Sequence, residues 1–296
     1  MNNIYFSTDT GCDIMEDFAD ELSIKLLAFP IGRYISENEY YEYEYRPTKS
    51  KCADFYDLLD EFKKDGIKLY TNCFGSDRAF FHVRKYFDLD ADLLHFSLSS
   101  GLSGTHANLN DQFETATDFI KTHNFINFDT KSASCGNKLL LDIALHEYYV
   151  NNKNIFEIVE ILKEKQKRLN VSFFTDTSYY LKQNGRLESE ISDGTISTHH
   201  FCQITKDGRL AFQKRVQGEK ASIRALCKIV ETKMDADANE TIYIAYGKNE
   251  KAAIALENQI HEHFPKLKIE KNNYTQIIAT NIGPNGLGVA FLEKIM

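Results

Sequence analysis

Short apolar runs alternate along the first half of the chain with segments whose apolar residues recur every three or four positions. IYFST (4–8), IKLYT (67–71), DLLHFSL (92–98) and NFINFD (124–129) have the length and residue types of strands. KLLAFPIGRYI (25–35) reads as extended, and the Tyr/Glu alternation of ENEYYEYEYRPT (37–48) predicts a half-exposed strand or hairpin. Helices fall between them. DIMEDFADEL follows the first strand, and ADFYDLLDEFKK sets Phe55, Leu58, Leu59 and Phe62 on one helical face. Ser76 is placed to cap a helix carrying Phe80, Val83 and Phe87. NKLLLDIALHEYYV (137–150) is a further helix, and Asn154 with Glu157 forms a capping box for IFEIVEILKEKQKRL.

Strands separated by helices predict an open, mostly parallel α/β sheet over residues 1–168. Beyond residue 168 the pattern changes. VSFFTDTSYYLKQNGRL, HFCQITKDGRLAFQKRVQ, TIYIAYG, LKIEKN and QIIATNIG together supply several strands, one pair joined by a KDG turn, with helices near 219–234 and 249–263. This predicts a second domain, 169–296, of α+β type with some antiparallel pairing. No internal repeat or low-complexity linker separates the two, so close packing is expected.

Composition narrows the classes. At 296 residues, with 43 % hydrophobic and 26 % charged residues, the chain can build a sizeable core under a polar surface. No apolar run approaches the ~18 residues of a membrane span, and the N-terminus lacks the basic and apolar regions of a signal peptide. A net charge of −8 without a dense Lys/Arg block argues against nucleic acid and anionic membrane surfaces as partners. The six cysteines are scattered without CxxC, and the nine histidines are dispersed. Neither a zinc site nor a disulfide scaffold is expected, and reduced thiols fit a cytoplasmic protein.

Four loops that follow expected strands in the first half are rich in hydroxyls and amides: STDTGCD, TNCFGSD, SLSSGLSGTH and DTKSASCGN. In an open parallel sheet such loops gather at the carboxyl edge. Thr8, Thr71, Asn72, Ser99, Ser100 and Ser132 are thereby expected to converge, with backbone amides after Gly104 and Gly136 adding anion donors. A phosphate cradle would require GxxxxGK[ST] or GxGxxG, and neither is present. A serine hydrolase acting through Ser100 or Ser103 would need a positioned base, and nearby His106 is expected to point elsewhere. A single carboxylate held by neutral hydroxyls and amides suits these residue types better. A small-anion binder remains an alternative.

Five motifs, in order, resemble those of the DegV family, whose members include the fatty-acid-binding subunits of bacterial fatty acid kinase. STDTGCDI is similar to T-D-S-T-x-D-L, SLSSGLSGTH to S-S-x-L-S-G-T, and DTKSASCGNKLLL to D-S-x-x-x-S-x-G-x-x-x-L. TDTSYYLKQNGRL resembles D-T-x-x-Y-L-x-x-G-G-R, and NIGPNGLGVAFL resembles H-x-G-P-G-x-x-G. The resemblance implies a non-catalytic protein without cofactor that buries a long-chain fatty acid between two domains and presents it to a separate kinase. By position, Thr71 and Ser100 would hold the carboxylate, helped by Asn72, Ser99, Gly101 and Asn281. Arg186, with Thr8 and Ser132, would lie near the ligand mouth. Three departures bear on phosphoryl transfer more than on binding. TNCFGS replaces T-S-x-P-S-P, Asn281 stands where the family has histidine, and Gln217–Glu219 occupies a stretch that is often R-x-R. The 21 phenylalanines and 16 tyrosines supply material for an apolar tunnel. At ~0.8 kcal/mol per methylene, a C16 tail gains on the order of 10 kcal/mol before ordering costs.

Overall fold

The computed structural model describes residues 3–36, 39–73, 75–84, 90–119, 123–187 and 197–295. A parallel sheet is built from β1 (Ile4–Asp9), β2 (Lys25–Leu27), β6 (Asp92–Ser97) and β7 (Phe125–Asp129), in the order β2-β1-β6-β7. All six residues of β6 are buried, as the continuous apolar run of a central parallel strand requires. Helices α1 (Glu16–Glu21) and α4 (Thr105–Phe119) pack on β2 and β7, and α3 (Ser76–Arg84) packs on α4. The expected cap of α3 involves the Ser76 side chain, and its apolar face involves Phe80, Val83 and Phe87; all lie outside the described residues or side chains.

The segment 67–71 does not join this sheet. It forms β5 (Lys68–Thr71), which pairs antiparallel with β3 (Pro30–Ser36), itself paired with β4 (Glu39–Glu44). The Tyr/Glu strand β4 is the edge of this small sheet, and every one of its residues is exposed, more than the expected half. Helix α2 (Lys49–Lys64) buries Phe55, Tyr56, Leu59 and Phe62, capped by Thr48, whose hydroxyl accepts from Lys51 N.

The remaining strands form a mixed six-stranded sheet: β8 (Leu169–Thr175), β9 (Thr198–Ile204), β10 (Leu210–Gln217), β11 (Thr241–Tyr246), β12 (Lys268–Asn273) and β13 (Leu287–Leu292). Their order is β10-β9-β8-β13-β11-β12, antiparallel except for β11 with β12. One face packs on α8 (Glu219–Lys233) and α9 (Glu250–His263) through Phe174, Phe201, Ile242, Ile244 and Val289. The other face receives α5 (Cys135–Tyr149), whose residues from Cys135 to Leu141 are all buried. That all-round burial is the expected state of a helix without a polar stripe. Lys138 within it is ion-paired to Asp142 at 3.0 Å and to Glu270 at 3.6 Å. Helix α6 (Ile155–Arg168) carries the expected capping box at Asn154 and Glu157. One hydrophobic cluster runs without a break from Ile4 and Phe6 through α5 to Tyr243, Ala245 and Ala290.

QIIATNIG, expected as a strand, is helix α10 (Gln276–Ile282). Its β-branched residues favour a strand only where a partner edge exists. Here Gln276 to Thr280 are buried on all sides, Thr275 N donates to Asp13 Oδ1 at 2.9 Å at the start, and Gly283 leaves the helix at φ 84°. Burial thus outweighs propensity. Helix α10 packs on β5, on α2 and on the short α7 (Tyr179–Gln183).

Candidate ligand-binding site

Between α5, α10 and the mixed sheet lies a cavity of about 890 Å³, part of it open to solvent. Strand alternation supplies its floor. Val171 and Phe173 face the cavity from β8, while Phe174 points into the cluster beneath α8 and α9. Ile204, Ala245 and Gly288 continue the floor across the neighbouring strands. Leu98, Leu102 and Ala133 come from the loops above, and Ile277, Ile278 and Ile282 from α10.

Polar side chains in this apolar wall are few. Thr71, Asn72, Arg186 and Asn281 line the cavity, so four residues expected at the site come together although they lie far apart in sequence. Thr71 ends β5, and Asn281 sits near the end of α10; Asn281 Nδ2 donates to Thr71 Oγ1 at 3.3 Å and to the Ile277 carbonyl at 2.8 Å. Thr71 thereby keeps its own proton to donate. Asn72 Nδ2 donates to Tyr40 Oη at 2.6 Å and to Glu42 Oε2 at 3.0 Å. Burial works to raise the Glu42 pKa, yet the Tyr40, Asn72 and Arg78 contacts outweigh it and leave the pKa lowered. Arg186 follows α7 in a turn closed by its N–H to the Leu181 carbonyl at 2.8 Å. Burial depresses the guanidinium pKa, and no carboxylate among the described residues pairs with it.

Thr8, Ser99, Ser100, Gly101 and Ser132 do not line this cavity. Thr8 Oγ1 donates to the Phe96 carbonyl at 2.9 Å inside the parallel sheet. The SLSSGLSGTH loop docks on the β9–β10 turn: Ser99 Oγ donates to the Gly208 carbonyl at 2.7 Å. A Cβ on Gly101 would stand 2.6 Å from that same oxygen, so the close approach requires glycine. Ser100 is exposed, and its Oγ accepts from Lys131 Nζ at 2.6 Å. The Ser132 hydroxyl is buried with no hydrogen-bond partner among the described residues.

The switch point of the parallel sheet, where the loops were expected to gather a ligand, is filled by the chain itself. The amides that end β1 and β6, Gly11 N and Leu98 N, donate to the Asp9 carboxylate at 2.9 and 2.6 Å. Burial nevertheless raises Asp9 to a pKa of about 7 against those two bonds. These two amides are thereby committed to the chain's own carboxylate.

Among the described residues no base meets either serine of the hydrolase alternative. Lys131, which meets Ser100, is ion-paired with Asp129 at 2.7 Å and so acts as a donor. Ser103 does line the cavity, but its hydroxyl donates to Thr105 Oγ1 at 3.1 Å and accepts from Thr105 N at 3.2 Å, a cap for α4. Neither serine is hydrogen-bonded to His106 among the described residues, and burial lowers the pKa of that histidine. Among the described residues no group of three or more His, Cys, Asp or Glu side chains is arranged to hold a metal ion, and no helix is long and apolar enough to cross a membrane.

The family model described as "Uncharacterised protein, DegV family" matches residues 4–294. The chain belongs to the DegV family. A DegV domain-containing protein of Clostridium acetobutylicum is 27 % identical over 312 aligned positions, covering 99 % of this chain and all of that one. A DegV family protein from Eubacterium eligens, solved loaded with heptadecanoic acid, superposes with a TM-score of 0.81 at 17 % identity, covering 98 % of this chain and 100 % of that one. The fatty acid kinase (Fak) B3 protein of Streptococcus pneumoniae, loaded with linoleic acid, gives 0.81 at 17 %, covering 99 % and 100 %. At such identities the structures establish a shared DegV fold.

Residue-level reading missed Ser134 and Tyr274 as cavity-lining groups. Ser134 has a left-handed backbone, φ 56°, and its hydroxyl donates to the Asp13 carboxylate. Burial raises the Asp13 pKa to about 7, opposed by the Ser134 and Thr275 bonds. Tyr274 Oη donates to the Gly283 carbonyl at 2.7 Å and accepts from Gly286 N at 2.9 Å. Nothing local in QIIATNIG or its flanks marks Tyr274. Ser134, by contrast, lies within the quoted D-S-x-x-x-S-x-G resemblance.

Proposed function

We propose that the cavity holds one long-chain fatty acid, its carboxylate met by the Thr71 hydroxyl and the Arg186 guanidinium and its acyl chain lying along the apolar floor. The observation that carries this reading is the asymmetry of the cavity. An extended wall of Val, Phe, Ile, Leu, Ala and Gly side chains meets a polar end in which Arg186 has no carboxylate partner among the described residues. A small hydrophilic anion would leave that wall unused. Relatives of this fold solved with heptadecanoic and linoleic acids support the assignment.

In this reading residues 1–168 and 169–296 act as two domains that close on the ligand from either side, and the protein performs no chemistry of its own. It presents the acid to a fatty acid kinase, as a binding subunit, in the cytoplasm, where its free cysteines stay reduced. The similarity to the Streptococcus pneumoniae kinase protein supports the partnership. Mass spectrometry of an organic extract of the purified protein tests the central step. A stoichiometric long-chain fatty acid is expected, and it should be lost or strongly reduced in a Thr71→Val, Arg186→Met double variant. A clean extract from protein that also fails to take up added fatty acid would contradict the proposal.

A further inference from the structure

Hydrogen-bond accounting at the polar end of the cavity favours something more than a plain fatty acid. Asn72 Nδ2 donates toward β4, to Tyr40 Oη at 2.6 Å and to Glu42 Oε2 at 3.0 Å. Glu42 is held in turn: Tyr40 Oη donates to its Oε2 at 2.8 Å, and Arg78 Nη2 donates to its Oε1 at 2.7 Å. An ionised carboxylate only accepts, so the Asn72 nitrogen must face Glu42 and the amide oxygen must face away from it. Asn72 Oδ1, which makes no hydrogen bond among the described residues, is therefore the acceptor that Asn72 can offer a ligand.

Thr71, next in the chain, has the opposite character. It accepts from Asn281 Nδ2, whose orientation is set by its second bond, to the Ile277 carbonyl. The Thr71 proton remains to donate, and Arg186 only donates. The polar end thus combines donors from Thr71 and Arg186 with acceptors from Asn72 and from Asn281, whose Oδ1 is buried without a hydrogen-bond partner among the described residues. A carboxylate satisfies the donors and has no proton for the acceptors.

We infer that the preferred ligand is a long-chain acid bearing a hydroxyl on the second or third carbon, its carboxylate taken by Thr71 and Arg186 and its hydroxyl donating to Asn72 Oδ1. This inference rests on the fatty-acid reading above. Glu42 and Tyr40 are positioning residues: they touch no ligand and act by holding the Asn72 amide in one orientation. Because they lie on an exposed edge strand, substitution there leaves the core intact.

The test is displacement of a fluorescent fatty acid from the full chain by hexadecanoate, 2-hydroxyhexadecanoate and 3-hydroxyhexadecanoate. At least one hydroxy acid is expected to bind about three- to tenfold tighter than hexadecanoate, the effect of one net hydrogen bond. In Glu42→Gln the new amide can donate as well as accept, so the Asn72 amide is free to turn. The hydroxyl preference should then disappear while hexadecanoate gains affinity, a pattern that a merely structural role for Glu42 would not produce. Hexadecanoate binding as well as both hydroxy acids to the wild type overturns the inference alone, and so does an unchanged preference in Glu42→Gln. Failure of all three acids to bind overturns the fatty-acid reading and the inference together.

Discussion

Thr71 ends β5 and Ser100 lies just beyond β6, and both carry a hydroxyl group, yet only Thr71 lines the cavity. The family resemblance paired them by position as carboxylate ligands, and a hydroxyl-and-glycine loop looks the same whether it faces a ligand or another loop. What separates them is the partner. Ser100 sits on the exposed side beside Lys131, whereas Thr71 accepts from Asn281 and keeps its proton. Thr71→Val is accordingly expected to weaken fatty-acid binding by about ten- to a hundredfold, the effect of a hydrogen bond to a charged group. Ser100→Ala should leave affinity within about twofold, the usual scale for an exposed surface change. A fluorescent fatty-acid titration of both variants checks this pair. Equal losses would place the head group on the wrong side of the SLSSGLSGTH loop.

At the scale of elements, the loops after β1, β6 and β7 serve mainly to join the two halves of the molecule. Ser99 and Gly101 clasp the β9–β10 turn, and Asp13 bridges Ser134, at the start of α5, to Thr275, at the start of α10. Gly101→Val should destabilise the fold by about 1–3 kcal/mol, through overpacking against the Gly208 backbone, measurable as a lower urea midpoint. Burial raises both Asp9 and Asp13 from 3.8 to about 7. A raised carboxyl pKa means that the folded state holds protons the unfolded chain has released, so the stability these two groups contribute is greatest below about pH 4 and is lost as pH rises to 7. Each such group contributes a loss on the order of 3 kcal/mol between about pH 5 and 8. Asp13→Asn keeps an acceptor for Thr275 N and removes the titration. Urea unfolding at the two pH values should show a smaller loss in the variant than in the wild type, and an identical loss would remove Asp13 from this account.

Across the whole molecule, the alternation of strands and helices was legible in the first half because period and length agree there, and the change of pattern near residue 168 coincides with the start of the mixed sheet at Leu169. The separate sheet of β3, β4 and β5 was not legible, since nothing in IKLYT says which edge it will pair with. Helix α10 was misread because its β-branched composition carries less weight than burial on every side. Of the residues that line the cavity, Thr71, Asn72, Arg186 and Asn281 were named from the sequence, whereas Ser134 and Tyr274 were not, because their place there depends on long-range packing. The departures from the family pattern divide in space. Asn281 lines the cavity, while Gln217 accepts from Thr198 Oγ1 at 2.9 Å and Glu219 accepts from Asn249 Nδ2 at 2.5 Å, neither of them lining it. Asn281→His is therefore expected to raise acyl-phosphate formation with a kinase from a standard family pair by about tenfold or more, by restoring a group able to carry positive charge beside the head group. Unimproved turnover in that assay would show that Asn281 is not what limits transfer.

The orientation of the bound acid tests the account most directly. A crystal structure of the protein grown with hexadecanoate is predicted to show the acyl chain over Val171, Phe173 and Gly288, with a carboxylate oxygen within hydrogen-bond distance of Thr71 Oγ1 and the Arg186 guanidinium. A chain bound with its carboxylate away from Thr71 and Arg186, or a cavity without lipid under saturating ligand, would contradict it.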